Sequence, residues 1–184
     1  MGVSSYVTDA IHGLMSLFDW ELLQGNFAEV GVCEGHSSNM IVTFVPKGRM
    51  FYLYDTFCGI PYHDERYDNF HRKGDISRSR NLVEAKMVPY MDRVKIISGI
   101  FPQSIGDERN DKFCFANIDV DVYQSTKDCL EFFYPRMPKG GLMMIQDDYT
   151  HQNTRGVAIA ADEFIADKPE NWKMHVCIGY FVKE

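Results

Sequence analysis

The 184 residues carry 19 Lys and Arg against 26 Asp and Glu, a formal net charge of −7, with 45% hydrophobic and 24% charged residues. That is the balance of a soluble globular chain with enough length for a buried core, and its acidity excludes nucleic acid and anionic membrane as expected partners, because both recruit clustered Lys and Arg. No run approaches the roughly 18 apolar residues of a membrane span, and the first residues lack the basic and apolar blocks of a secretory signal, so a cytoplasmic location is expected. Five scattered cysteines (Cys33, Cys58, Cys114, Cys129 and Cys177) form neither a disulfide framework nor a CxxC zinc pattern, and are expected as reduced thiols.

In chain order, Ser5 to Leu23 places Ile11, Leu14, Met15, Phe18 and Leu22 at helical spacing, predicting an N-terminal helical segment. Its apolar face would suit pairing with a second copy, so a homo-oligomer is compatible with the sequence. Gly25-Asn26 punctuates it. Phe27 to Val32 reads as a buried strand, Ser37 to Val45 as a helix stopped by Pro46-Lys47-Gly48, and Met50 to Tyr54 as a second strand. Residues 58–80 are polar, rich in His, Tyr, Asp and Arg, and carry no period; they predict a long, lid-like loop of the kind that compact domains reserve for function. Asn81 to Met91 is helical, and Val94 to Ser98 and Phe113 to Ile118 are strands. Ser125 to Phe133 is a helix, Leu142 to Ile145 a strand and Ala158 to Ala166 a helix. Met174 to Ile178 and Tyr180 to Lys183 are two last strands, separated at about Gly179. Alternating strands and helices predict an α/β fold: one domain over residues 1–184, with a mostly parallel seven-stranded sheet, helices on both faces and a C-terminal antiparallel hairpin.

Such sheets bind ligands beyond the carboxyl ends of their strands, so the residues just after each strand carry the functional signal. After the first strand stands Glu29-Val-Gly31-Val-Cys-Glu-Gly35-His-Ser37-Ser38. Gly31 and Gly35 permit a tight strand-to-helix turn and close approach of a ligand, and Ser37 or Ser38 would cap the next helix. The GK[ST] ending of a phosphate loop and the GxGxxG of a dinucleotide site are both missing. Asp55 ends the second strand, where a carboxylate can accept both hydroxyls of a ribose or simply cap a turn. Asp119 and Asp121 follow the fourth strand, and Asp147 and Asp148 the fifth. Four acids at one sheet edge are costly if left unpaired; a hard dication such as Mg²⁺, Ca²⁺ or Mn²⁺ removes the cost. Solvated caps and salt bridges are the plainer reading of the same acids. His63, Arg66, His71, His151 and Arg155 are further candidates for substrate contact, with solvated side chains as the alternative.

Several blocks resemble the macrocin/mycinamicin O-methyltransferase family of class I S-adenosylmethionine-dependent methyltransferases. They are residues 25–38, Asp55-Thr-Phe-Cys-Gly-Ile-Pro61 (close to DSFxGLP), residues 118–126 (close to LDxDxYxST) and residues 139–149 (close to PGGxxxxDDY), with residues 98–104 as a weaker fifth block. The resemblance implies a Rossmann-like methyltransferase domain. It implies S-adenosyl-L-methionine held by Glu29, Gly31, Gly35, Ser37, Ser38, Asp55 and Thr56, with Gly99 and Ile100 near the adenine. It implies Mg²⁺, or another hard dication, on Asp119, Asp147 and Asp148, and Asp121 as general base. The implied acceptor is a small molecule, glycosylated or diol-bearing. His36 and Thr56 depart from the family pattern, as does the shortness of the chain. A non-catalytic S-adenosylmethionine-binding protein and a cephalosporin-hydroxylase-like enzyme remain as alternatives.

Overall fold

The computed structural model describes residues 5–146 and 149–184. The elements are α1 (Ser5–Met15), β1 (Asn26–Val30), α2 (His36–Ile41), β2 (Phe51–Asp55), α3 (Arg80–Met87), β3 (Val94–Ser98), β4 (Phe113–Ile118), α4 (Tyr123–Phe133), β5 (Leu142–Ile145), α5 (Arg155–Ile165), β6 (Lys173–His175) and β7 (Ile178–Val182). They build one seven-stranded sheet in the order β3-β2-β1-β4-β5-β7-β6. The first five pair in parallel, while β7 runs antiparallel to both β5 and β6. The expected Rossmann-like sheet, with its terminal antiparallel hairpin, is therefore present.

The strands read as apolar runs because both sheet faces are covered. On one face α1, α2 and α3 contribute Ile11, Leu14, Ile41, Val83 and Met87, packed on Phe27, Phe51, Leu53, Phe115 and Met144. On the other, α4 and α5 contribute Leu130, Phe133, Val157 and Ala161, packed on Ala28, Val30, Tyr54, Ile118, Ile145 and Phe181. Period-two alternation assigns neighbouring residues of one strand to opposite faces, as with Phe27 and Ala28. The strand order reverses between β1 and β4, which opens a crevice at their carboxyl ends.

Several boundaries differ from the sequence-based expectation. The N-terminal helix ends at Met15 rather than Leu23: Leu17 N–H turns back to the Leu14 carbonyl at 3.2 Å and Phe18 N–H to the Met15 carbonyl at 3.3 Å, and Trp20 Nε1 also donates to Met15 at 3.0 Å, so the terminal carbonyls are satisfied without a further turn. Leu22, which extended the apolar pattern, is exposed. Helices α4 and α5 begin earlier than expected, at Tyr123 and Arg155. The hairpin turns at Val176-Cys177, and Gly179 lies inside β7, paired with Ile145 and Met174. Gly179 serves packing there: a Cβ would sit 2.8 Å from the Tyr149 ring.

Candidate functional site

Beyond the carboxyl ends of β1, β2 and β4 lies a cavity of about 430 Å³. The turn after β1 supplies Gly31, Cys33, Glu34 and Ser37, the end of β2 supplies Asp55 and Thr56, and the turn after β3 supplies Gly99. The segment after β4 supplies Asp119 and Asp121, and His71 and His151 close the rim. Of the predicted residues, Ile100 is 39% exposed and stands outside the lining, while Glu29 and Ser38 lie beneath it, fully buried. Asp147 and Asp148 lie outside the described residues.

The ladder continues one step past the strand ends. Gly31 N–H donates to the Tyr54 carbonyl at 2.9 Å, Asp119 N–H to Val30 at 2.9 Å and Gly99 N–H to Asp55 at 3.0 Å. Gly31 has φ +88°, and a Cβ there would fall 1.7 Å from the Asp119 carbonyl oxygen. Glycine is therefore required twice, by a left-handed backbone and by the close approach of two chain segments. Asp55 organises the floor: Oδ2 accepts from Cys33 N–H at 2.8 Å and Oδ1 from Phe57 N–H at 2.7 Å. Each oxygen keeps a lone pair beyond these bonds, so the carboxylate can tie two turns together and still accept a ligand hydroxyl. Thr56 Oγ1 donates to the Gly59 carbonyl at 2.6 Å and accepts from Cys58 N–H, closing the next turn.

The expected serine cap does not form. Gly35 is the N-cap of α2, with φ 75° and no side-chain cap, and Ser38 instead donates its hydroxyl to Glu29 Oε2. Glu29 is the cause: a fully buried carboxyl draws the nearest donor. Burial pushes its pKa up and the Asp55 charge adds to this, while hydrogen bonds from Ser37, Ser38 and Asn117 pull it down. At the exposed end of the turn, Arg78 Nε donates to Glu34 Oε1 at 3.0 Å and Lys86 Nζ to the Glu34 carbonyl at 2.8 Å, fastening the glycine turn to α3.

The long connection between β2 and α3 holds no helix or strand, as expected, yet it is tightly docked. Asp68, 5% exposed, accepts from Tyr123 N–H at 2.9 Å with Oδ1 and from Asp64 N–H at 2.9 Å with Oδ2. It thus caps α4, whose own N-cap residue, Val122, offers no side chain for the purpose. Tyr67 stacks on Tyr123 with ring centroids 4.0 Å apart, and Asn69 Nδ2 donates to the Gln152 carbonyl at 2.9 Å. The same segment carries His71 to the cavity, where its Nε2 stands 3.4 Å from Asp121 Oδ1. Burial pushes the His71 pKa down, and nearby His151 adds to this, against the charges of Asp75 and Asp68. Asp121 itself has φ +64°, a left-handed conformation that Asp and Asn tolerate better than most residues. Arg66, by contrast, is spent on Asp64 at 2.6 Å, with its side chain 76% exposed.

Asp68 and Tyr67 were missed in the sequence because nothing in a polar run marks which carboxylate is buried. Gln146 was missed for the opposite reason: it precedes an acidic pair, and a neutral amide beside two carboxylates carries no charge signal of its own. Gln146 is 1% exposed, lines the cavity and donates from Nε2 to Asp119 Oδ2 at 2.8 Å. The described residues hold no group of three His, Cys, Asp or Glu side chains placed to share a metal ion. Asp119, an oxygen donor facing the cavity, fits a hard dication in its chemistry.

Comparison with known proteins agrees with this architecture. The chain is 27% identical over 139 residues to a tetracenomycin-rhamnosyl 4'-O-methyltransferase of Streptomyces olivaceus, the match covering 68% of this chain and 53% of the relative. It is 26% identical, with the same coverage, to demethyldecarbamoylnovobiocin O-methyltransferase of Streptomyces niveus. The chain spans about half the length of these curated relatives. Among solved structures, a calicheamicin methyltransferase superposes with a TM-score of 0.77 at 18% identity, covering 95% of this chain and 78% of the other, which is a likeness of fold. The model of the macrocin-O-methyltransferase (TylF) family matches residues 8–174. A turn closed by Gly31, Asp55 at the end of β2 and the acids after β4 all fall within that match, and the chain belongs to the macrocin-O-methyltransferase family.

Proposed function

We propose that this chain is an S-adenosyl-L-methionine-dependent O-methyltransferase, assisted by Mg²⁺ or another hard dication, acting on a hydroxyl of a sugar or other vicinal diol in a glycosylated small molecule. The observation that carries the reading is the convergence of the Gly31–Gly35 turn, Asp55, Asp119 and Asp121 on one cavity. Family membership supports the transfer chemistry, and the sugar-directed names of the Streptomyces relatives support the acceptor class.

Bound S-adenosylmethionine supplies a sulfonium methyl for in-line attack by oxygen, and a bound dication lowers the pKa of an acceptor hydroxyl and fixes its angle. The glycine turn and Asp55 would hold the donor, with Gly99 on the adenine side. Asp119 would hold the dication, together with Asp147 and Asp148, which follow Gln146 in sequence. Asp121 would take the hydroxyl proton as the oxygen–carbon bond forms and the carbon–sulfur bond breaks. His71 stands beside Asp121; burial pushes its pKa down, which favours the neutral imidazole, and a neutral ring has one N–H to offer the base. The docked connection would shield the reacting atoms from water.

The test is methyl transfer from labelled S-adenosylmethionine to a rhamnosyl or other vicinal-diol glycoside, with Mg²⁺ or with chelator. Asp121→Asn keeps a residue that tolerates the left-handed backbone and removes the base, so kcat is expected to fall about 10²–10⁴-fold. Asp119→Asn is expected to abolish the metal dependence, and both variants should bind S-adenosylhomocysteine as the parent does. Full turnover by both variants in chelator would overturn the reading.

A further inference from the structure

A line of buried side chains crosses the sheet beneath the cavity. Ser38 Oγ donates to Glu29 Oε2. Asn117 Nδ2 donates to Glu29 Oε1 at 2.8 Å and to Gln146 Oε1 at 3.1 Å, and Gln146 Nε2 donates to Asp119 Oδ2 at 2.8 Å. Glu29, Asn117 and Gln146 are each no more than 1% exposed.

Register explains how they meet. Glu29 on β1 is opposite Asn117 on β4, and Asn117 is opposite Met144 on β5. Two residues further along β4 and β5, on the same face, stand Asp119 and Gln146. Packing alone would favour apolar side chains at these points, as at Phe27, Phe115 and Met144 on the same face, because a buried amide costs free energy unless it is bonded. The polarity of the line also has a direction. Asn117 uses both of its amide hydrogens, one on Glu29 and one on Gln146. That turns the Gln146 carbonyl toward Asn117 and its N–H toward Asp119, so the carboxylate meets a donor and never an acceptor. The Asn117 Oδ1 atom is itself buried without a partner, so the line is tolerated at a cost.

We propose that Gln146 and Asn117 are positioning residues: Gln146 fixes the Asp119 carboxylate in the rotamer that receives the dication, and Asn117 fixes the orientation of Gln146. The proposal rests on the reading of Asp119 as a metal ligand. Partners behind a ligand of this kind set its geometry and typically change metal affinity by about 10–100-fold when removed.

Calorimetric titration with Mg²⁺ alone, and with S-adenosylhomocysteine in chelator, tests it. Gln146→Met keeps length and removes the donor; Asn117→Ser withdraws the orienting amide without touching Asp119. Each is expected to weaken Mg²⁺ about 10-fold or more, and in Gln146→Met, which leaves the Asn117–Glu29 bond in place, S-adenosylhomocysteine affinity should stay within about twofold. Unchanged Mg²⁺ affinity in a variant of a Mg²⁺-binding parent would overturn the positioning role alone. Parallel loss of both affinities in Gln146→Met would mark the residue as merely architectural and overturn it too. A parent that bound S-adenosylhomocysteine but no Mg²⁺ would overturn the reading of Asp119, and the positioning role with it.

Discussion

Gly31 shows how much one residue can decide at this site. Its φ of +88° disfavours any side chain, and the Asp119 carbonyl occupies the place of its Cβ. Gly31→Ala must therefore strain the turn and push the ends of β1 and β4 apart; we expect a loss of at least about 2 kcal/mol in urea unfolding, and loss of donor binding before loss of fold. The glycine was legible in the sequence as a turn residue. Its real constraint was not, because the atom it must avoid is 88 positions away. Asp121 is the reverse case: the motif singled it out, but only the fold shows that its carboxylate meets His71 from a distant loop.

At the scale of elements, the connection between β2 and α3 was legible only as polar and irregular. The structure shows it strapped down by a carboxylate that caps α4, and Gly156 at the start of α5 is packed so close that a Cβ would fall 2.2 Å from Asp68 Oδ1. Asp68→Ala removes the cap and leaves Tyr123 N–H buried. We expect a loss of about 1–3 kcal/mol, faster tryptic cleavage at Arg66, Arg72 or Lys73, and a raised KM; Asp68→Asn, which keeps an acceptor oxygen, should recover part of each. Cleavage and stability unchanged in Asp68→Ala would show that the strap does not depend on this residue. Apart from the edge strands β3 and β6, which are partly exposed, hydrophobic periodicity marked the strands and most helices, because burial on both faces leaves an apolar run. It misjudged the end of α1, where tightened backbone turns and an indole, rather than a Gly or Pro, complete the terminal carbonyls.

For the whole molecule, acid stability turns on Glu170. Its side chain is 1% exposed. Burial pushes the carboxyl up, but hydrogen bonds from the Glu184 N–H, the Tyr134 hydroxyl and Lys183 outweigh it and hold the pKa at about 2. A depressed folded-state pKa stabilises above the ordinary carboxylate value and loses that effect as pH falls. Unfolding free energy should therefore drop by up to about 3 kcal/mol between roughly pH 4.5 and pH 2. Glu170→Gln should flatten that limb of the profile; an equally steep acid limb in the variant would assign it to other carboxylates.

The sequence by itself determined the α/β alternation, the parallel core with its antiparallel edge, and the places after β1, β2 and β4 where chemistry gathers, because burial periodicity and strand-end residues are local properties. It determined the family as well, through short motifs in a fixed order. The tertiary structure alone decided that Ser38 serves Glu29 rather than its helix. It alone set Asp68 as the cap of α4, put His71 against Asp121 and laid Asn117 and Gln146 in line with Asp119. Each of these depends on sheet register or loop docking, which join residues far apart in the chain, and no local pattern of polarity records which distant partner a buried polar group will find.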